Sequence, residues 1–268
     1  MSAASLARFR ETAGAARATA SLLLGHVGFA HSPARLQRDA ARYWASDDEH
    51  WRDDSHWRGG SKFAGTGLWE AMGQEHLRLY QRLRAASAVD PAPPGQIVDW
   101  GCGGGANAVA FAPLGEGLTG VDLSAESVAE CEKQVIEAAQ VPFTGVVASV
   151  ARPEDAIRDI PRPCGLFVCL YVLELVPDQA YGLRLMRIAH DLLVPGGQAF
   201  VQVKYATNSW RTMTRRRDYR RAVAGCTYRI EEFWAAMTAV GFSPEAVTLV
   251  PRNDLDERYA YFLLSKPR

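Results

Sequence analysis

The segment Ile97-Val98-Asp99-Trp100-Gly101-Cys102-Gly103-Gly104-Gly105-Ala106-Asn107 constrains this chain most. Its apolar start reads as a buried strand, which runs straight into glycines before a helix opens. Glycine admits backbone dihedrals closed to other residues and lets a ligand approach the main chain. About twenty residues further on, where an acidic residue is expected after such a loop, stands Gly120-Val121-Asp122-Leu123-Ser124. A carboxylate at the end of a second strand is placed to accept hydrogen bonds from two ribose hydroxyls.

The Pro-rich stretch Asp90-Pro91-Ala92-Pro93-Pro94-Gly95 divides the sequence, because proline lacks an N–H and disfavours helix in the residue before it. An N-terminal helical or lid region over 1–94 and a ligand-binding domain over 95–268 are expected. After the divide, apolar runs alternate with amphipathic segments, which predicts β-α-β units around a parallel sheet. Strands are expected over 96–100, 118–122, 143–150, 166–171, 199–204, 247–250 and 259–264, and helices over 106–111, 125–139, 178–193 and 230–240. Ser124 reads as a helix N-cap and Pro195-Gly196-Gly197 as a stop. The last two strands have no helix between them and are therefore expected to be antiparallel.

Two cofactors compete for the glycine loop. Gly101-x-Gly103-x-x-Ala106 fits a dinucleotide fingerprint, the mark of a dehydrogenase. The longer series is more specific: Asp99-x-Gly101-x-Gly103-x-Gly105, then Gly120-Val121-Asp122-Leu123-Ser124, then Tyr171-Val172-Leu173-Glu174-Leu175-Val176-Pro177-Asp178, then Leu192-Leu193-Val194-Pro195-Gly196-Gly197. In that order these motifs resemble the class I S-adenosylmethionine-dependent methyltransferases, small-molecule branch. The resemblance implies an α/β fold: a Rossmann-like, seven-stranded, mostly parallel sheet with an antiparallel last strand, here with an N-terminal helical cap.

It also implies roles. Gly101, Cys102 and Gly103 would line the methionine part of S-adenosylmethionine, Asp99 would meet its amino group, Asp122 its ribose, and Leu123 its adenine. Ser149 and Val150 stand where the family often has an acid facing the adenine amine, so the Ser149 hydroxyl is the substitute acceptor. Leu170 would lie under the sulfonium, and Arg58 is expected at the cofactor carboxylate. Many relatives carry Glu-His where this chain has Glu174-Leu175. That removes a base, and Glu174 is left either to act in catalysis or to brace the next helix.

Two segments outside the common core are candidates for the acceptor site. Residues 43–60 interleave Trp44, Trp51 and Trp57 with acids and histidines, which suits a sugar or an aromatic natural product. His56, ahead of Gly59-Gly60, is the candidate base on a lid. Residues 204–221 carry Lys204, Tyr205 and six arginines against Asp218. Guanidinium forks suit an anionic acceptor, or pair with the acidic lid, and Tyr205 at the strand tip is the third catalytic candidate. Asp47, Asp48, Glu49, His50, Asp53 and Asp54 offer ligands for a divalent metal, but without a fixed metal spacing. The expected reaction is O-methylation of a polar small molecule, a saccharide or a glycosylated natural product. The alternatives are N-methylation of a small amine and a non-catalytic binding protein on the same fold.

Composition narrows the classes. Thirty basic against thirty acidic residues give no net charge, which argues against nucleic acid as the partner. No apolar run approaches the ~20 residues that span a bilayer. Five cysteines without a C-x-x-C pair read as reduced thiols in the cytoplasm. Residues 1–30, Ala- and Arg-rich with the single acid Glu11, weakly resemble a transit peptide. The expectation is an amphipathic helix packed on the rest.

Overall fold

The structure is a computed structural model. It describes residue 20 and residues 30–45, 50–209, 212–214, 217, 219, 225–250 and 258–268. The expected N-terminal helix falls almost wholly outside these residues, as do Asp47, Asp48, Glu49, Asp218 and the arginines at 211, 215, 216, 220 and 221.

Among the described residues, three helices precede the sheet: α1 (Pro33–Trp44), α2 (His50–Asp54) and α3 (Leu68–Ala86). The order then runs β1 (Gln96–Trp100), α4 (Ala106–Phe111), β2 (Gly117–Asp122), α5 (Ala125–Ala138), β3 (Phe143–Val147), β4 (Cys164–Cys169), α6 (Gln179–Leu192), β5 (Leu193–Lys204), α7 (Ile230–Val240), β6 (Ser243–Val250) and β7 (Tyr259–Ser265). The seven strands form one sheet in the order β3-β2-β1-β4-β5-β7-β6. Strand β7 is antiparallel to both of its neighbours, and the other described pairs are parallel. The α/β class, the seven strands and the closing hairpin are as expected.

Both faces of the sheet are covered, so its inner strands are continuously apolar rather than alternating; every residue of β4 is buried. Leu79, Tyr80 and Leu83 of α3 pack with Phe111, Phe200 and Tyr261 on one face. On the other, Leu185, Met186, Phe233 and Met237 pack with Val98, Phe167 and Phe262. Each large apolar side chain buried in this way stabilises the fold by roughly 1.5–3 kcal/mol. Helix α3 thus shares its core with the sheet, although it precedes the Pro-rich stretch. Residues 91–95 form a loop between elements that pack together.

Several bounds differ from the expectation, three of them for local reasons. Strand β4 ends at Cys169 because Tyr171 takes a left-handed backbone, φ 57°, which no strand accommodates. Strand β3 ends at Val147, before Ser149. Pro195-Gly196-Gly197 ends no element but lies within β5, where the Gly196 amide donates to the Lys266 carbonyl at 2.9 Å. None of the five cysteines forms a disulfide, and all are buried. No helix among the described residues is long and apolar enough to cross a membrane.

Candidate functional site

The sheet order reverses at β1, which pairs with β2 on one side and β4 on the other. Ligands of open α/β sheets bind beyond the carboxyl ends of the strands at such a point. There the amides of Gly101 and Cys102 donate to the Val121 carbonyl at 2.7 and 3.0 Å, folding the glycine loop back over β2. Gly101 and Gly103 have φ of 78° and 47°, and a Cβ on Gly103 would run into the Ser55 carbonyl. Asp122 ties the loop to the next helix: one carboxylate oxygen accepts from the Gly103 amide and the other from the Ser124 amide, both at 3.0 Å. Burial raises the pKa of Asp122 against the pull of these amides. Asp99 lies deeper. Burial first and the Asp122 charge second push its pKa to about 7, and its Oδ2 has no hydrogen-bond partner.

A cavity with about 870 Å³ of space, open solvent at its mouth included, opens over this loop. Gly101, Cys102, Gly103, Asp122, Leu123, Ala148, Val150 and Leu170 line one part. The other wall is mostly apolar and aromatic, with Trp44, Met72, Tyr171, Leu175, Tyr181 and Tyr219. No lysine or arginine lines it among the described residues.

The roof comes from the N-terminal segment. The Ser55 carbonyl accepts from the Gly104 amide at 2.8 Å, and Trp57 Nε1 donates to Ser127 Oγ on α5 at 3.3 Å. Trp44 Nε1 donates to Tyr219 Oη at 3.0 Å, and that hydroxyl donates in turn to the Leu175 carbonyl. Asp54 lines the cavity and accepts from the Tyr43 hydroxyl. His56, with φ 53°, sits edge-on between Phe63 and Tyr171 at 5.4 and 4.7 Å between ring centroids. Burial, helped by the Lys62 charge, holds its pKa down to about 3. The imidazole is therefore neutral at working pH and a weak proton acceptor.

The structure brings together most, not all, of the residues singled out from sequence. His56, Gly101, Cys102, Gly103, Asp122, Leu123, Val150 and Leu170 line the cavity; Asp99, Arg58, Ser149, Glu174 and Tyr205 are not among its lining residues. Arg58 is exposed and held by Glu70 at 2.7 Å on the outer side of α3. Ser149 faces solvent, because β3 stops two residues before it. Glu174 is buried, with its backbone carbonyl accepting from the Cys226 amide at 2.9 Å. Tyr205 bridges to Tyr228 beyond β5. Among the described residues, no three His, Cys, Asp or Glu side chains gather as a metal site. The side chains of His50 and Asp53 lie outside the description.

Sequence reasoning missed Asn107, Met72 and Tyr171 as wall residues, and it missed His76 behind them. His76 is 1% exposed; its Nδ1 lies 2.7 Å from Asn107 Oδ1, and its Nε2 lies 3.0 Å from Tyr261 Oη and 3.4 Å from Tyr171 Oη.

With this geometry, the comparison with known proteins is decisive: residues 68–247 match the family described as "Methyltransferase domain". The chain belongs to the methyltransferase family. Its cofactor is S-adenosylmethionine. The residues present fit that molecule: Gly101 and Gly103 bring main chain to the cavity, Asp122, Leu123 and Val150 line it, and Asp99 beneath the loop holds an oxygen without a hydrogen-bond partner.

Among curated proteins, this methyltransferase is 31% identical to a ubiquinone biosynthesis O-methyltransferase of Pseudomonas syringae over 106 residues, 39% of this chain and 42% of that one. It is 34% identical to the protein of the same name from Xanthomonas campestris over 137 residues, 50% and 54% of the two chains. The matched part spans about half the length of these relatives. Among solved structures, magnesium protoporphyrin IX methyltransferase from Synechocystis with bound S-adenosylhomocysteine superposes with a TM-score of 0.56 at 14% identity, over 84% of this chain and 96% of that one. A methyltransferase from Clostridium acetobutylicum gives 0.54 at 10% identity, over 73% and 92%. These two likenesses establish the fold.

Proposed function

We propose that this methyltransferase transfers a methyl group to a hydroxyl of a small molecule with a largely apolar or aromatic body. The observation that carries this reading is the roofed cavity: one end is a backbone cradle with Asp122, and the other is walled by Trp44, Met72, Tyr171 and Tyr219, with no cation among the described residues. Bound in the cradle, S-adenosylmethionine supplies a methyl group made electrophilic by a sulfonium. The chain's own work is to align the acceptor with that methyl and to keep water out, which is worth several kcal/mol, up to ~7–11. Gly101 and Gly103 present main chain to the methionine part, Asp122 accepts from the ribose, and the 54–56 segment closes over both, with Trp44 at the acceptor end.

The names of the matched relatives favour an oxygen acceptor. The apolar and aromatic side chains among the described wall residues favour an aromatic hydroxyl as acceptor. A saccharide remains compatible with the tryptophan faces, and the acceptor panel includes one.

The test incubates the protein with S-adenosylmethionine and a panel of hydroxylated aromatics, glycosides and small amines, and reads products gaining one CH2 by mass spectrometry. Methylated hydroxylated aromatics are expected. Products from amines alone, or cofactor binding with no product from the whole panel, overturn the proposal.

A further inference from the structure

We propose that Tyr171 takes the proton released by the acceptor hydroxyl, with His76 behind it as the positioning residue that receives the proton. This rests on the O-methylation reading above and deepens it.

A hydroxyl is a weak nucleophile, and its methylation calls for a proton acceptor within hydrogen-bond reach. The wall offers several oxygens and nitrogens, most of them engaged. Both Asp122 oxygens hold backbone amides. Asp54 accepts from Tyr43, and Tyr219 is caught between Trp44 and the Leu175 carbonyl. The His56 imidazole, although on the wall, is packed edge-on between Phe63 and Tyr171. Tyr171 differs, because its hydroxyl leads to an imidazole.

That imidazole does not line the cavity itself, yet both of its nitrogens end on residues that do. Nδ1 meets Asn107 Oδ1 at 2.7 Å and Nε2 meets Tyr171 Oη at 3.4 Å. With the Asn107 oxygen accepting, Nδ1 carries the hydrogen and Nε2 presents its lone pair to Tyr171 and Tyr261. The wholly buried Gln202 holds the Tyr261 phenol and the Tyr171 main chain. Its Nε2 donates to Tyr261 Oη and its Oε1 accepts from the Tyr171 amide, each at 2.7 Å. Tyr171 is held in the left-handed region, φ 57°, one residue past Leu170 on the same wall. A non-glycine residue kept in that region beside a cavity marks a place where the surroundings over-determine the backbone. The ring is packed edge-on by His56 at 4.7 Å and Tyr259 at 5.5 Å.

The step balances. The acceptor oxygen forms its bond to the methyl carbon as the carbon–sulfur bond breaks, and that electron pair stays on sulfur. The acceptor's proton passes to Tyr171 Oη, whose own hydrogen moves to His76 Nε2. The Tyr261 oxygen, 3.0 Å from Nε2, then accepts from the imidazolium. Among the described residues, Tyr171 and Tyr261 are titratable groups that face His76, with His56 across the Tyr171 ring; Asn107 and Gln202 are uncharged.

The experiment uses Tyr171→Phe, which keeps the ring in its packing, and His76→Gln, which keeps a polar side chain between Asn107 and the phenols. Three quantities are read. The first is kcat and KM with the best hydroxyl acceptor from the panel. The second is affinity for S-adenosylhomocysteine by calorimetry. The third is the absorbance of 4-nitrocatechol bound to the protein without methyl donor, which reports ionisation of its hydroxyl. We expect kcat to fall about 10²–10⁴-fold at little-changed KM and S-adenosylhomocysteine affinity, and the bound nitrocatechol to ionise at higher pH in both variants than in the wild type. Unchanged kcat and unchanged nitrocatechol ionisation overturn the inference. An affinity loss as large as the loss in kcat also overturns it, because it marks a collapsed wall. A wild-type protein that methylates no hydroxyl brings down the proposed function instead, whatever the variants do.

Discussion

The Gly104 amide donates to the Ser55 carbonyl at 2.8 Å, so main chain joins the roof of the cavity directly to the glycine loop that forms its floor. The contact leaves no room for a side chain. A Cβ on Gly104 would lie 2.5 Å from the His56 carbonyl oxygen and 2.6 Å from the Trp57 Cα. Gly104→Ala must therefore lift the 54–57 segment, at the ~1–3 kcal/mol typical of overpacking. A lower melting temperature and weaker S-adenosylhomocysteine binding are expected; a variant matching the wild type in both would show that roof and floor are not coupled.

Asp122 holds the glycine loop and, in the proposed reading, the ribose as well, and its loss should show both. Asp122→Ala leaves the Gly103 amide without its 3.0 Å acceptor and removes the partner of the ribose. At least a tenfold loss of cofactor affinity is expected, about 1.4 kcal/mol, read by calorimetry. Equal affinity in the variant would remove Asp122 from the ribose.

The latch between Trp44, Tyr219 and the Leu175 carbonyl closes the acceptor end rather than the cofactor end. In Tyr219→Phe the buried indole N–H of Trp44 loses its acceptor, a loss on the order of 1–3 kcal/mol. The acceptor KM should rise several-fold while calorimetry finds cofactor affinity unaltered. A change confined to the cofactor would reverse the assignment of the two ends.

The carboxyl of Asp99 gives a pH signature. Its pKa in the fold is raised from the ordinary 3.8 to about 7 by burial and by Asp122. A raised acid is more readily protonated in the folded than in the unfolded chain, so the stability it supports is complete below pH ~4 and is lost as pH climbs to about 7. Asp99→Asn mimics the neutral form. It should melt higher than the wild type at pH 8 and nearly level with it at pH 4, as thermal scans across that range would reveal. Equal differences at both ends would mean that Asp99 is charged throughout.

The cofactor end was legible because its geometry is local. A strand, a left-handed glycine turn and a helix follow one another within 97–107, and Asp122 follows at the end of the next strand. Arg58 misled because its partner, Glu70, sits on a helix whose orientation no spacing reveals. Ser149 misled because a strand three residues shorter than its apolar pattern turns that hydroxyl outward. The positive φ of Tyr171 was equally hidden, since nothing in a run of apolar residues announces a strand that stops early.

Sequence by itself determined the sheet, its antiparallel close, the glycine cradle and the carboxylate beside it, because each follows from periodicity, turn chemistry or short spacing. The tertiary structure alone decided what faces the acceptor. His76 meets Asn107, Tyr171 and Tyr261 across 31, 95 and 185 residues of chain, and Trp44 meets Tyr219 across 175. Contacts at such separations are fixed by how helices and strands pack around a common core, and no local pattern of residues encodes which side chains that packing brings together.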